Sequence, residues 1–326
     1  MNIGILGTGS IASVMADTLA QMSTARCVAV ASRSQEKAQQ FAEKHGIARA
    51  YGSYEELLND PRVELVYVAT PHSHHYPHAK MALEHGKHVL CEKAFTVNQK
   101  QAQALFDLAE EKHLLITEAM WTRYLPMRGT INEVMRSGIV GAPRILTANH
   151  VVPICQVPRM KEPSLAGGAL LDLGVYSLNF AAMIFGSDPL SVTGTAQLTD
   201  LGVDAQEAIT MTYADGRMAL LHNSMMALGD KRGIIECENG YLEVKNIVKP
   251  EELRVYNRDN VLIAAYKEPK NITGYEYEIE ACIRALDANG IECPLMPHAE
   301  TLRVMGWMDS LREQFDVRYP EEIEAL

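Results

Sequence analysis

Gly7-Thr8-Gly9-Ser10-Ile11-Ala12 follows the apolar run Ile3-Gly4-Ile5-Leu6 and opens a helical stretch over residues 11–22. Strand, glycine turn and helix in that order begin a dinucleotide-binding βαβ unit, and few other folds tolerate the pattern. The first glycine permits the tight turn, and the second lets backbone approach a pyrophosphate. Ala12, in the third position, keeps helix and strand close. The helix N-terminus adds amide donors and partial positive charge for the anion. Gly7, Thr8, Gly9, Ser10 and Ile11 are therefore the expected cofactor contacts. A second strand over residues 27–31 completes the unit.

The alternation continues. Residues 34–45 read as a polar helix, 64–69 as a strand, 75–85 as a helix, 88–91 as a strand, 98–112 as a helix and 114–116 as a fifth strand. Short strands separated by helices mean a parallel sheet with right-handed crossovers. After Glu118 the pattern changes. A helix over 125–137 leads to a strand over 144–151, and a helix over 169–185 precedes strands at 190–199, 207–213, 217–225, 233–238 and 241–244. Asp215-Gly216 and Asn239-Gly240 supply hairpin turns. Helices over 276–289 and 298–315 close the chain. The expectation is an α/β chain in two domains. Residues 1–118 form a Rossmann domain with a doubly wound parallel sheet. Residues 119–326 form a substrate-binding and oligomerisation domain around a large, mostly antiparallel open sheet, one face of which is free for a partner.

Composition adds exclusions. The 326 residues carry 41 Asp plus Glu against 30 Lys plus Arg, a net charge of −11. No basic run offers a phosphate backbone a face, which argues against nucleic acid. No apolar run approaches the ~20 residues of a membrane span, and Met1-Asn2-Ile3 leads into a strand rather than a signal peptide. Cys27, Cys91, Cys155, Cys237, Cys282 and Cys293 are scattered without CxxC spacing, so neither a zinc ribbon nor a thioredoxin-like site is indicated. They read as reduced thiols of a cytoplasmic protein.

Candidate site residues gather at strand ends. The second strand ends in Ala31-Ser32-Arg33-Ser34, where an NAD enzyme usually places a carboxylate for the ribose hydroxyls. A carboxylate would repel a 2′-phosphate, whereas Ser32 and Arg33 offer donors and a guanidinium, so NADP(H) is expected over NAD(H). The third strand runs into Ala69-Thr70-Pro71-His72-Ser73-His74-His75. His74 and His78 have metal-ligand spacing on a helix, but no acidic or cysteine ligand stands beside them. Thr70, Pro71, His72 and His75 are read as packing the cofactor's edge, with no metal. The fourth strand ends in Cys91-Glu92-Lys93-Ala94, where a lysine can exchange a proton with substrate or pair with Glu92 at the surface. In Gly167-Gly168-Ala169-Leu170-Leu171-Asp172-Leu173-Gly174-Val175-Tyr176, a helix puts Asp172 and Tyr176 on one face with Asn179 near them. A carboxylate among so many leucines needs a partner, and Lys93 is the expected one.

On these motifs the chain resembles the glucose-fructose oxidoreductase / inositol dehydrogenase / MocA family over essentially its whole length. The stretch Thr117-Glu118-Ala119-Met120-Trp121-Thr122-Arg123-Tyr124-Leu125-Pro126, with Tyr176 where inositol dehydrogenases carry histidine, resembles its dimeric dihydrodiol dehydrogenase branch. One departure is Ala94 in place of the family's proline, expected to relax the turn after Lys93. The resemblance implies hydride transfer between nicotinamide and a carbinol or carbonyl carbon of a sugar, polyol or cyclic trans-diol. It implies Lys93, Asp172 and Tyr176 as the catalytic set, with Glu92 beside the cofactor. Trp121 becomes a flat wall for a ring substrate, while Arg123, Asn179 and Arg144 face polar substrate groups. It also implies a homodimer or homotetramer assembled through the second sheet. Two other readings remain open at this level: a nicotinamide-binding regulatory protein without turnover, and a glycosidase holding NAD for transient oxidation.

Overall fold

A computed structural model describes residues 1–326. The first of its two compact units comprises Met1–Met120, Asn271–Leu302 and Ile323–Leu326, and the second comprises Trp121–Lys270 and Arg303–Glu322. The expected division of the chain at residue 118 is corrected accordingly, because two late segments return to the first unit. Specific contacts bring them back. The His298 ring stacks on Phe106 at 3.9 Å, and the Thr301 hydroxyl donates to Glu118 at 2.9 Å.

In the first unit β1 (Asn2–Leu6), β2 (Arg26–Ala31), β3 (Ala50–Tyr51), β4 (Leu65–Val68), β5 (His88–Glu92) and β6 (Ile116–Ala119) form a parallel sheet in the order β3-β2-β1-β4-β5-β6. The order reverses beside β1, and such a switch point opens a ligand crevice at the carboxyl ends of the strands. Helices α1 (Ser10–Leu19), α2 (Gln35–His45), α3 (Tyr54–Leu58), α4 (His75–Glu84) and α5 (Gln99–Lys112) connect the strands. Ser34, Ser53 and Asn98 cap α2, α3 and α5 by accepting the amides of Lys37, Glu56 and Gln101. The strand expected at 114–116 lies later, because pairing with β5 starts at Val89–Ile116.

The second unit opens with α6 (Trp121–Tyr124) and α7 (Met127–Ser137), and the short α8 (Pro158–Lys161) lies in a later loop. Its sheet contains β7 (Pro143–Val151), β8 (Ser191–Leu198), β9 (Asp204–Thr212), β10 (Met218–Ser224), β11 (Gly233–Cys237), β12 (Gly240–Lys245), β13 (Glu252–Asn257) and β14 (Leu262–Lys267). The order is β14-β13-β12-β11-β7-β10-β9-β8; only β7 and β10 pair in parallel. The single helix expected over 169–185 is two elements. A π-helical turn, Leu170–Gly174, precedes α9 (Val175–Phe185), and the Val175 amide reaches back to the Leu170 carbonyl. Helices α10 (Glu276–Asp287), α11 (His298–Phe315) and α12 (Glu321–Glu324) complete the chain.

The segment Pro163–Phe185 has the length to cross a membrane and an 18-residue window of mean hydropathy 1.5, yet 89 % of that window is buried within the protein. A helix apolar on every side belongs in a core, and this one packs against β7 and β10.

Gly4, in the middle of β1, has its α-carbon face filled. A Cβ there would lie 2.8 Å from Leu57 and 2.9 Å from Val63. Gly4→Val should therefore cost about 1–3 kcal/mol through overpacking. Urea unfolding would show it as a lower midpoint, and an unchanged midpoint would mean that α3 yields freely.

Candidate active site

The glycine turn of the first unit has the shape its sequence demands. Gly7 adopts φ +107°, and a Cβ on it would meet the Ala69 carbonyl at 2.7 Å. Gly9, the residue before α1, has open space where a Cβ would be. No side chain caps α1 there, and its first turn carries no acid. The cradle therefore fits an anion such as a dinucleotide pyrophosphate, held by helix N-terminal amides.

At the end of β2, Ser32 is buried and Arg33 is exposed. Ser34 is occupied as the α2 cap. The positive charge of Arg33 bears on Tyr54, His74 and His78. Tyr54 meets His78 edge-on, with ring centroids 4.5 Å apart. It stands on α3, a helix of 5 residues too short to show periodicity, and the sequence reading missed it.

Behind β4, the Thr70 hydroxyl bonds His78 Nδ1 at 3.0 Å, and Pro71 leads into a 3₁₀ turn, His72–His74. The His75 ring joins this loop to the one after β5, with Nδ1 2.8 Å from the Ala94 carbonyl and Nε2 2.7 Å from the Thr70 carbonyl. Burial pushes His75 down to about 4 and His78 to about 3. Near neutral pH the His75 ring is thus uncharged and donates to one carbonyl at a time. The His72 ring meets it edge-on at 5.6 Å.

Lys93 follows β5 directly. Its amide donates to Glu92 Oε2 at 3.2 Å, and the Tyr67 hydroxyl donates to the other carboxylate oxygen. The Lys93–Ala94 peptide is cis.

In the second unit, Asp172 lies on the π-helical turn and is 5 % exposed. Arg159 of α8 grips both of its oxygens, Nη1 to Oδ1 at 2.9 Å and Nη2 to Oδ2 at 3.2 Å. Arg159 was not foreseen from the sequence, because its short helix carries no periodic signal. Tyr176 is buried, its ring edge-on to His150 with centroids 5.1 Å apart. His150 Nδ1 lies 3.3 Å from the Leu173 carbonyl, so this histidine touches both the turn and the tyrosine. The wide turn also alters the i,i+4 stacking of Asp172 and Tyr176 assumed for an α-helix.

Three residues read from the sequence as substrate contacts have partners within the second unit. Arg123 (2 % exposed) donates through Nε to Asn179 Oδ1 at 2.6 Å, and Asn179 (0 %) donates to the Val175 carbonyl at 2.8 Å. Both brace α9 from inside. Arg144 pairs with Glu238 on the surface. Trp121 is half-buried, with the Lys249 ammonium 5.8 Å from its ring centroid.

Comparison with known proteins agrees with this arrangement. Residues 1–120 match the oxidoreductase family with an NAD-binding Rossmann fold, and residues 129–243 match the GFO/IDH/MocA C-terminal domain. The trans-1,2-dihydrobenzene-1,2-diol dehydrogenase of Xenopus laevis is 34% identical over 325 residues, 97% of this chain and 98% of that protein. The human enzyme of the same name is 31% identical over 333 residues, covering 98% of each chain. Among solved structures, KijD10, a 3-ketoreductase from Actinomadura kijaniata in complex with NADP and TDP-benzene, superposes with a TM-score of 0.87. It is 25% identical, with 97% of this chain and 98% of that chain covered. The UDP-N-acetylglucosamine 3-dehydrogenase GnnA of Acidithiobacillus ferrooxidans is also 25% identical, with a TM-score of 0.80 over 97% and 98% of the two chains.

The buried histidine gives the fold an acid limit. His75 titrates near 6.5 as a free side chain and near 4 in the folded protein. A depressed folded pKa contributes stability above the unfolded value, and that stability is lost as pH falls from 6.5 toward 4. At about 1.36 kcal/mol per unit, the loss is on the order of 3 kcal/mol. Urea midpoints taken at neutral and acidic pH should fall by that amount, and His75→Gln should flatten the fall. An equal fall in both proteins would place the acid sensitivity elsewhere.

Proposed function

The chain belongs to the GFO/IDH/MocA oxidoreductase family, and from that premise we propose that it is an NADP(H)-dependent dehydrogenase acting on a carbinol or carbonyl carbon of a sugar, polyol or cyclic trans-diol. The observation that carries this reading is the buried Asp172, gripped by Arg159 on the turn that leads directly into α9 and Tyr176. A carboxylate is costly to bury, and a protein that only bound a nucleotide would gain nothing from one here.

The first unit takes the cofactor, and Trp121–Lys270 with Arg303–Glu322 takes the substrate. Bound nicotinamide supplies the hydride acceptor in oxidation and the hydride donor in reduction. Gly7 and Gly9 admit the pyrophosphate, and the α1 amides hold it. Arg33 reads the 2′-phosphate, since the end of β2 carries no carboxylate to repel one. Thr70, Pro71, His72, His75 and Glu92 line the cofactor's edge. Lys93 and Tyr176 form the proton-exchanging pair for the substrate hydroxyl, and Asp172 is its anionic member. Trp121 offers a flat apolar wall to a ring.

Assembly and compartment follow the same logic. Ile145, Met218 and Leu220 are each more than a third exposed on one face of the second sheet. Alternation puts them opposite the buried Leu146, Ala148, Ala219 and Leu221. That face suits a second copy of the chain, hence a homodimer or a tetramer built from it. The six cysteines form no disulfide, in keeping with a reducing cytoplasm.

NADP+ reduction followed by absorbance across trans-dihydrodiols, aldoses and inositols, each repeated with NAD+, tests the reading. NADP+ should be the preferred oxidant, and faster turnover with NAD+ would remove the role given to Arg33. Arg33→Ala should raise KM for NADP+ about tenfold or more while leaving NAD+ nearly untouched, as expected for one charge-assisted contact. Lys93→Met should lower kcat by about 10²–10⁴, the usual contribution of a positioned acid–base group. NADPH affinity should survive that change. Near-normal turnover by the Lys93→Met protein would exclude the lysine from catalysis.

A further inference from the structure

Asp204 and Glu207 are 0 % and 4 % exposed, and no role has yet been given to them. Both belong to β9, at positions that strict alternation would send to opposite faces. The pairing of β8 with β9 slips between Gln197 and Leu198, whose partners are Gln206 and Asp204. A bulge of this kind re-aims side chains, and here it allows both carboxyls to be buried beneath one turn.

That turn is Leu170–Gly174. Asp204 Oδ2 accepts the Leu170 amide at 2.5 Å, and its Oδ1 occupies the space a Cβ on Gly168 would need, 2.2 Å away. Glu207 Oε1 accepts from Asn223 Nδ2 at 3.0 Å and lies 2.5 Å from where a Cβ on Gly174 would fall. Glycines on the two flanks of the turn are thus matched to carboxyl oxygens. Asp204 Oδ1 and Glu207 Oε2 are buried without a hydrogen-bond partner as long as both acids are ionised. One proton between them satisfies both oxygens. Burial and the neighbouring Asp204 charge raise Glu207 well above the usual carboxylate range, so Glu207 is the group that keeps the proton and donates it.

We propose that Asp204 and Glu207, joined by one shared proton, are positioning residues of this dehydrogenase that set the wide turn at Leu170–Gly174 and so aim Asp172 and Tyr176. The proposal rests on the dehydrogenase reading above. Both acids are buried within the second unit. The other side of the turn is held by Arg159 on Asp172, by His150 at the Leu173 carbonyl and by the Tyr319 hydroxyl on the Gly167 carbonyl at 2.7 Å. Those contacts tie the turn to loops and strands, whereas the carboxyl pair shapes it from within.

The test compares Glu207→Gln, Glu207→Leu and Gly174→Ala in the full-length enzyme. A glutamine amide can donate to Asp204 and accept from Asn223, as the protonated acid does, so Glu207→Gln should keep kcat within about threefold of wild type. Leucine fills the volume but leaves Asp204 an unpaired buried carboxylate, and kcat should fall at least about tenfold with NADPH affinity unchanged. Gly174→Ala displaces the end of the Glu207 side chain and presses more lightly on the tip of Leu170. It should reproduce the kcat loss with a smaller change in thermal midpoint, which covers the case of a Leu variant that does not fold. Wild-type kcat in both the Leu and Ala variants would overturn the proposal, as would a Gln variant as impaired as Leu. Amide exchange over residues 170–176 separates this from the function itself. If wild type turns over nothing in the panel, faster exchange in Glu207→Leu than in wild type still supports the positioning role, and equal exchange sinks it.

Discussion

A carboxylate removed from water must be met by a cation, a proton or several donors, and both units are organised around that demand. Asp172 is met by the two Nη groups of Arg159. Glu92 is met by the Tyr67 hydroxyl and the Lys93 amide. Glu276 collects the amides of Ile272, Thr273 and Gly274, which closes the turn that enters α10. An unanswered buried charge costs several kcal/mol, a large share of the ~5–15 kcal/mol by which a domain is stable. Positions fixed at that strength do not drift, and a site built on them is preorganised.

Much of the first unit was legible because its signals are local. The glycine turn, the short buried strands and the serine and asparagine caps each speak within a few residues. What escaped there was short: β3 has 2 residues and α3 has 5, below the length at which a period can be counted. In the second unit β14 was lost for a different reason. Its burial pattern is almost uniformly exposed, so no alternation between faces marks it as a strand. The return of Asn271–Leu302 to the first unit is a tertiary fact, carried by pairs such as Phe106 with His298, and no local pattern encodes it.

For the site, the sequence located the need at Asp172 and did not show Arg159 as one of the groups that meet it. A carboxylate among leucines at Asp172 called for a cation, and the reasoning was sound. The guanidinium comes from Arg159, 13 residues earlier, in a segment whose polar composition resembles any surface loop. Its planar fork matches a carboxylate with two parallel bonds, which an ammonium cannot do. Arg123 and Asn179, read from the sequence as ligand contacts, also have a structural tie that no local pattern encodes: Arg123 Nε donates to Asn179, and Asn179 donates to the backbone of α9.

The π-helical turn shows why some of this geometry lies beyond any reading of the helix alone. Residues 169–185 are apolar on every side, so the segment offers no face that would orient it, and by composition it should run as one α-helix. Alanine in place of a glycine within a helix ordinarily stabilises it by about 0.8–1.0 kcal/mol. At Gly174 that gain is closed off, because Glu207 Oε1 stands 2.5 Å from where a methyl group would have to go, while Gly168, ahead of the helix at φ +118°, has Asp204 Oδ1 2.2 Å from the same position. The glycines keep the helix locally weak, and the oxygens of a distant strand decide how it opens. A helix more stable by its own propensities would therefore present Asp172 and Tyr176 less well, which is the form a conflict between stability and activity takes at the level of two side chains and two glycines.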